Sequence, residues 1–358
     1  MKNVNEWLEI NLVDPINKLP LKKKNNYFLS RAGDIYPIIN NIPIMLPLNK
    51  KLNHISAYNS LDFIKDLKKN NFKNDEYFIN TSGLSKFEKK MILEKLNNLR
   101  GLKNNKKNEL KKCLAIVSGF IAATNGIAYK SSLGNLTNLP IPIIPEKIFE
   151  NLTQPILDIG CNWGRWSIAC SNKKNIIIGI DPCLSAVNVA SKLAKNLNIN
   201  FIGIVGDARF LPFKTNSISS VISYSVIQHF SRKDVNITIK EINRILKPKG
   251  FSAVQMPNKI GLRCFYHQIL RGFRDGKNFE VRYWSLKELT KIFSYIGKVK
   301  IITDCYLGIG LQDTDFKFMS ISGKIALTIS KFFKKIPYIN SGKILFADSV
   351  WVLSEKKN

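Results

Sequence analysis

Hydrophobic positions recur at helical spacing through residues 86–99, where Phe87, Met91, Ile92, Leu96 and Leu99 line one face, and residues 109–124 read as a second helix. Before them, up to about residue 50, the pattern is strand-like and broken by prolines, ending in DIYPIINNIPIMLP. After them, Pro140, Pro142 and Pro145 mark a stiff linker through which helix cannot continue. Three regions are expected: strand-rich residues 1–50, helical and lysine-rich residues 51–150 with the proline linker, and residues 151–358.

From about Pro155 apolar strands and amphipathic helices alternate. Strands are expected at 156–159, 176–181, 201–205, 218–225 and 251–256, with helices from about Arg165 and over 184–197. A helix capped by Ser231 and Asp234 carries Ile237, Ile239, Ile242 and Leu246, and stops at Pro248 and Gly250; Ser285 and Glu288 cap another. Strand and helix in alternation predict an α/β fold, a doubly wound and mostly parallel sheet.

Composition narrows the class. Of 358 residues, 45% are hydrophobic and 23% charged, a globular balance. Six cysteines without a Cys-x-x-Cys pair, and three histidines, argue against a disulfide scaffold or a structural zinc and leave the cytoplasm as the expected compartment. The most apolar segment, 113–124, is too short to span a bilayer, so no transmembrane segment is expected. Net charge is +29, carried by 45 Lys against 10 Arg in a chain rich in Asn and Ile. That bias fits AT-rich codon usage as well as an anionic partner, so charge alone does not choose between them.

The chemistry concentrates in ILDIGCNWGRW, residues 156–166. A strand ends in Asp158, and Gly160 and Gly164 let the backbone turn close to a ligand before a helix starts. Asp181 ends the next strand, where a carboxylate can take both ribose hydroxyls of a nucleoside. Asp207 follows the third, where an acid can accept from an adenine amino group. All three sit at carboxyl ends of strands, where open parallel sheets bind ligands. A nicotinamide dehydrogenase fingerprint would need Gly-x-Gly-x-x-Gly; here an acid precedes Gly160 and the glycines stand four apart.

DIGCNWG, GIDP, GDARFLPF and ISYSVIQHF, in this order and spacing, resemble the motifs of class I S-adenosylmethionine-dependent methyltransferases of the type 11-like group. The likeness spans roughly residues 150–260. It implies a seven-stranded Rossmann-like sheet and S-adenosyl-L-methionine as cofactor, bound by Asp158, Gly160, Cys161, Asn162, Gly164, Asp181, Pro182, Asp207, Ala208 and Ser225. Asp158 would face the methionine end, Asp181 the ribose, and Asp207 with Ala208 the adenine. Asn162 replaces the family's middle glycine; asparagine tolerates a left-handed backbone, so the turn is expected to survive. DIYPIINNIPIMLP also resembles the tail of small zinc-ribbon-like domains related to the activator subunits of tRNA methyltransferases, but no cysteine precedes Cys113, so any zinc site is absent.

A hydroxyl acceptor needs a base, and His229 after the fourth strand is the first candidate, the alternative being a residue that packs over the cofactor or caps the next helix. The resemblance implies that an insertion over about 258–342 covers the acceptor, with Arg263, Tyr266, His267 and Arg282 as candidate contacts; arginines there would suit an anionic acceptor, the alternative being a helix with solvated arginines and packed aromatics. Residues 321–336 are amphipathic and basic, fitting either a helix packed on the sheet or peripheral membrane contact. The favoured acceptor is a small molecule or glycan, methylated on oxygen. RNA methylation, protein methylation and cofactor binding without turnover stay open. Against RNA, Ser223-Tyr224-Ser225-Val226 stands where amino-methylating nucleic-acid enzymes carry Asn/Asp-Pro-Pro-aromatic.

Overall fold

The structure, a computed structural model, describes residues 2–67, 79, 84–99, 105–125, 133–134, 136–171, 175–335 and 343–358. Parts of the expected lysine-rich region, and Ile336 at the end of the expected amphipathic helix, lie outside the described residues. The chain forms two compact units, Met1–Ile141 with Gly160–Lys214, and Pro142–Ile159 with Thr215–Asn358.

The first unit opens with α1 (Lys2–Asn11), where a strand-like pattern was expected. The segment is amphipathic, and Leu8 turns into the core. Strands β1 (Lys22–Lys23), β2 (Tyr27–Leu29), β3 (Ile35–Ile39) and β4 (Ile42–Met45) pair antiparallel in sequence. The β3–β4 hairpin turns on Asn40 and Asn41, both left-handed at φ 51° and 63°, the backbone that a two-residue hairpin requires. Three helices follow: α2 (Ile55–Leu67), α3 (Lys86–Asn98) with its Ser85/Glu88 capping box, and α4 (Lys106–Asn125). The unit then takes in α6 (Arg165–Ala169), β6 (Ile177–Asp181), α7 (Leu184–Asn196) and β7 (Phe201–Gly206). Its strand order is β1-β2-β3-β4-β7-β6, and β4 runs parallel to β7 with Ile44 opposite Val205. Ile42, Ile44 and Leu46 join Leu52, Ala57 and Phe63 in one core with Cys161, Leu184, Val187 and Val205. The N-terminal strands are thus built into the same apolar core as the glycine turn.

The second unit holds α5 (Glu146–Phe149), β5 (Ile156–Ile159), β8 (Ile218–Ser223), α8 (Arg232–Ile245), β9 (Leu246–Pro257), α9 (Leu262–Leu270), α10 (Leu286–Phe293), β10 (Gly297–Cys305), α11 (Ile321–Lys335), α12 (Lys343–Phe346) and β11 (Ser349–Lys356). Its order is β5-β8-β9-β11-β10, parallel through β9 and antiparallel from there. Ser231 caps α8 by accepting from Asp234 N–H at 3.1 Å, and Ser285 and Glu288 form the expected capping box on α10. Helix α8 ends at Ile245, one residue earlier than the pattern predicts. Leu246 is already extended and opens β9, opposite Ile218 on β8.

The α/β class holds, but the strand number does not: eleven strands are present among the described residues, where seven were expected. The seven are β5 to β11, and β1 to β4 add four. Short proline-broken strands gave no sign in the sequence that they would pair alongside β7.

Candidate functional site

The glycine turn lies in the first unit. Gly160, Asn162 and Gly164 all have positive φ, at 73°, 47° and 87°. Asn162 therefore takes the left-handed backbone of the glycine it replaces, and its side-chain Oδ1 accepts from Trp163 N–H at 2.7 Å. At Gly164 an added Cβ would come within 3.1 Å of Ala190 Cβ on α7, so both the backbone and the helix approach require glycine. The N–H groups of Gly160 and Cys161 both donate to Ile180 O, which ties the turn to β6.

Asp181 sits at the carboxyl end of β6, 8% exposed. Its Oδ2 accepts from Asn162 N–H at 3.0 Å and its Oδ1 from Cys183 N–H at 2.9 Å. Burial pushes its carboxyl up to about 6, and the two N–H donors only partly offset that. A carboxylate has about four acceptor positions, so one on each oxygen is left for a pair of vicinal hydroxyls. The Pro182 turn is itself held by Ser60 on α2, which donates to Pro182 O at 2.8 Å and accepts from Leu184 N–H at 3.0 Å. Ser60 gave no signal in the sequence, because its partners lie more than a hundred residues away.

Asp207 is placed differently from the expectation of an open acceptor. It caps the turn Ala208–Phe210 through Arg209 N–H at 2.9 Å, and its carboxylate is forked by Arg209 Nε and Nη2 at 3.0 and 2.6 Å. Arg209 Nη2 also donates to Lys51 O. With Nε shared at 3.2 Å to the second oxygen, Arg209 makes two bonds to each carboxylate oxygen and engages all of its about four acceptor positions.

The remaining candidates lie in the second unit. Asp158 is buried in β5. Ser225, just past β8, has φ 62°, a strained value for a non-glycine residue. Its N–H donates to Gln255 Oε1 at 3.0 Å, and its hydroxyl accepts from Gln228 Nε2 at 2.9 Å. Gln255 Nε2 and Gln228 Oε1 are buried without a hydrogen-bond partner. Leaving such an atom unpaired costs about 1–3 kcal/mol, so a water or a ligand that reaches either would be favoured.

His229 stacks on Phe279, with ring centroids 4.0 Å apart and planes 5° from parallel. Its Nδ1 lies 2.7 Å from Phe279 O, a bond that requires the proton on Nδ1. Nε2 then carries the lone pair and receives Gln228 Nε2 at 3.3 Å. Arg282, expected at the acceptor, is 8% exposed and directs Nη1 to His229 O at 2.6 Å and to the carbonyls of Asn278 and Glu280. It braces the His229 backbone. Arg263 and His267 meet on α9, with Arg263 Nε 3.3 Å from His267 Nε2; burial, then Arg263 and Arg271, hold the His267 imidazole below its ordinary range. Tyr266 is exposed on the same helix.

A buried network that the sequence did not reveal lies beside Ser225. Tyr224 OH donates to Asp304 Oδ2 at 3.0 Å and receives Gln312 Nε2 at 2.6 Å, while Ser349 Oγ donates to the same Asp304 oxygen at 2.7 Å. Burial raises the Asp304 carboxyl. Among the described residues no group of three or more His, Cys, Asp or Glu gathers to hold a metal, and no helix is long and apolar enough to cross a membrane.

Residues 156–250 match the family model of a methyltransferase domain. Among curated proteins, a ubiquinone biosynthesis O-methyltransferase of Bartonella tribocorum is 25% identical over 171 residues, 44% of this chain and 66% of that one. A probable tRNA methyltransferase 9B of Homo sapiens is 35% identical over 96 residues, 26% of this chain and 19% of that one. The chain thus spans 66% and 19% of the lengths of these two relatives. The crystal structure of the YcgJ protein from Bacillus subtilis aligns with a TM-score of 0.40 at 21% identity, over 57% of this chain and 92% of that one. Through residues 156–250 the chain thus carries a methyltransferase domain.

Proposed function

We infer that the chain transfers a methyl group from S-adenosyl-L-methionine to a hydroxyl oxygen of a small molecule or glycan. The observation that carries the cofactor side is Asp181. It is a buried carboxylate tied by one N–H to the glycine turn and by another to its own turn, with acceptor positions left for a ribose diol. Gly160, Cys161, Asn162 and Gly164 line the turn, Pro182 follows Asp181, and Asp207 with Ala208 is assigned to the adenine. Asp158 and Ser225 keep their assignment to the cofactor from the motifs alone.

S-adenosyl-L-methionine, when bound, supplies a sulfonium methyl with a good leaving group. The protein then has to align the acceptor and, for a hydroxyl, remove a proton. His229 fits that second task. Its Nδ1–H is fixed on Phe279 O, so Nε2 is the basic atom once an acceptor hydroxyl displaces the long Gln228 Nε2 contact, and the same carbonyl stabilises the imidazolium when the proton arrives. Arg282 holds the His229 backbone in place. Arg263, Tyr266 and His267 on α9 stay assigned to the acceptor side. The six buried cysteines form no disulfide, which supports placing the reaction in the cytoplasm, with α11 available for peripheral membrane contact.

The test is transfer from methyl-labelled cofactor into a cell extract separated into small-molecule, lipid-linked glycan, protein and RNA fractions. Label in the first two is expected. Nuclease-sensitive label would favour RNA, the reading that the charge of +29 supports. Tight cofactor binding with no label in any fraction would mean binding without turnover.

A further inference from the structure

Helices α9 and α11 are both turned the wrong way for water. The buried residues of α9 are Cys264 and Gln268, and Gln268 Nε2 donates to Lys259 O and Cys264 O. Its large apolar residues, Leu262, Phe265, Tyr266, Ile269 and Leu270, with Phe273 just beyond, are exposed at spacings of three and four. The buried residues of α11 are Leu327 and Ser330, and Ser330 Oγ accepts from Tyr306 N–H at 3.0 Å. Ile321, Ile325, Ile329, Phe332 and Phe333 face outward, with Ile321 79% and Phe332 65% exposed. A helix on an aqueous surface buries most of its apolar stripe; each of these two buries a single apolar side chain, Cys264 or Leu327, and leaves the rest exposed.

The helices border one stretch of chain. Tyr306 binds Ser330 of α11 and lies 5.6 Å from the Phe333 ring, while Arg263 Nη1 of α9 lies 3.5 Å from Leu307 O. Cations border both stripes: exposed Lys331 and Lys335 with half-buried Lys324 on α11, and exposed Arg263 and Arg274 on and after α9. Acids temper two of these, Asp313 on Lys331 and Glu280 on Arg274, while Lys334 acts on the buried Asp304 carboxyl and Arg271 donates to Val281 O, so neither of those serves the face.

We propose that α9 and α11 form a docking face for an anionic lipid bilayer, with the apolar stripes entering the headgroup–acyl boundary and the flanking Lys and Arg meeting lipid phosphates. An apolar stripe edged by basic residues is what an interfacial helix needs. A second copy of this chain fits less well, since two surfaces of a protein carrying +29 repel. A nucleic acid has no use for eleven exposed apolar side chains. The proposal rests on these two helices and not on methyl transfer.

The experiment is flotation of the full chain with phosphatidylcholine vesicles, with and without phosphatidylglycerol. The chain is expected to float with the phosphatidylglycerol vesicles and to be released by salt. Ile325→Glu with Phe332→Glu, and separately Ile269→Glu with Leu270→Glu, should each weaken binding by about tenfold or more, since buried apolar area is lost and charge is repelled. Lys335→Gln, a change on exposed charge alone, and Lys324→Gln, which also lifts a cation from the Phe316 ring, should together weaken binding only to the anionic vesicles. Cofactor affinity should be unchanged in all three, which separates a failure here from a failure of the methyltransferase reading. The proposal is overturned if the wild-type chain does not float, or if the glutamate variants float as well as it does. It is also overturned if those variants turn a dimer into a monomer in sedimentation, because the stripes would then be covered by a second copy.

Discussion

Replacing Asp181 with alanine tests the cofactor assignment at its most exposed point. The side chain accepts Asn162 N–H and Cys183 N–H, so its removal strips two buried donors of their partner as well as deleting the ribose contact. A hydrogen bond to a charged group contributes about 1.5–3 kcal/mol, so losing two from a ribose diol gives about 3–6 kcal/mol. Part of that returns when water takes over, and tenfold per 1.4 kcal/mol sets an expected affinity loss of at least about tenfold and of order a hundredfold. Isothermal titration with S-adenosyl-L-homocysteine measures it. The unfolding midpoint must be followed in parallel, because orphaning the two N–H groups costs about 1–3 kcal/mol each. Asp181→Asn is the gentler companion, keeping an acceptor for one of the two donors.

The same residue gives a pH dependence. Burial raises its carboxyl to about 6, so in the free protein the carboxylate form is lost as pH falls through that value. Ribose hydroxyls need the ionised form, so cofactor affinity should be flat above about pH 6 and fall by up to about tenfold per unit below it. Affinity unchanged in Asp181→Ala with the fold intact, or flat down to pH 5, would refute the assignment of the ribose to this carboxylate.

The other expectations concern the supports of that site and the base. Asn162→Val places a β-branched residue at φ 47°, which should cost about 1–2 kcal/mol in folding and weaken cofactor binding, whereas Asn162→Gly should leave both nearly unchanged; thermal unfolding and titration distinguish the two. Ser60→Ala removes the hydroxyl that bridges Pro182 O and Leu184 N–H, so stability should drop by about 1–2 kcal/mol, with a few-fold loss of cofactor affinity; no change in either would mean that α2 does not brace the turn. His229→Ala should lower turnover about a hundredfold or more with cofactor affinity nearly intact, and full activity would remove it as the base.

Some of the site was legible because its determinants are local. A strand ending in an acid, two glycines four apart, and acids at the ends of the next two strands are fixed by backbone conformation and short spacing. The turn, Asp181 and the helix caps at Ser231 and Ser285 stand where those signals put them. Asn162 shows the same logic, since the left-handed backbone it adopts is a property of asparagine itself.

Tertiary structure decided what depends on partners distant in the chain. Arg209 is held over the Asp207 carboxylate with its Nη2 also donating to Lys51 O, 158 positions away, and burial leaves the pair no water to prefer. Arg282 looked like an acceptor contact, but the carbonyls of residues 229, 278 and 280 converge on its Nη1. The Tyr224–Asp304 bond joins residues 80 positions apart, and Ser60 reaches across more than a hundred. The four extra strands and the outward stripes of α9 and α11 belong here too. Periodicity shows that a helix has an apolar face, but only packing decides whether that face or its opposite turns to the core. The sequence by itself determined the local conformations and the order of acids along the chain; the structure alone decided which polar atoms are paired, because pairing is set by what folding brings together and shuts away from water.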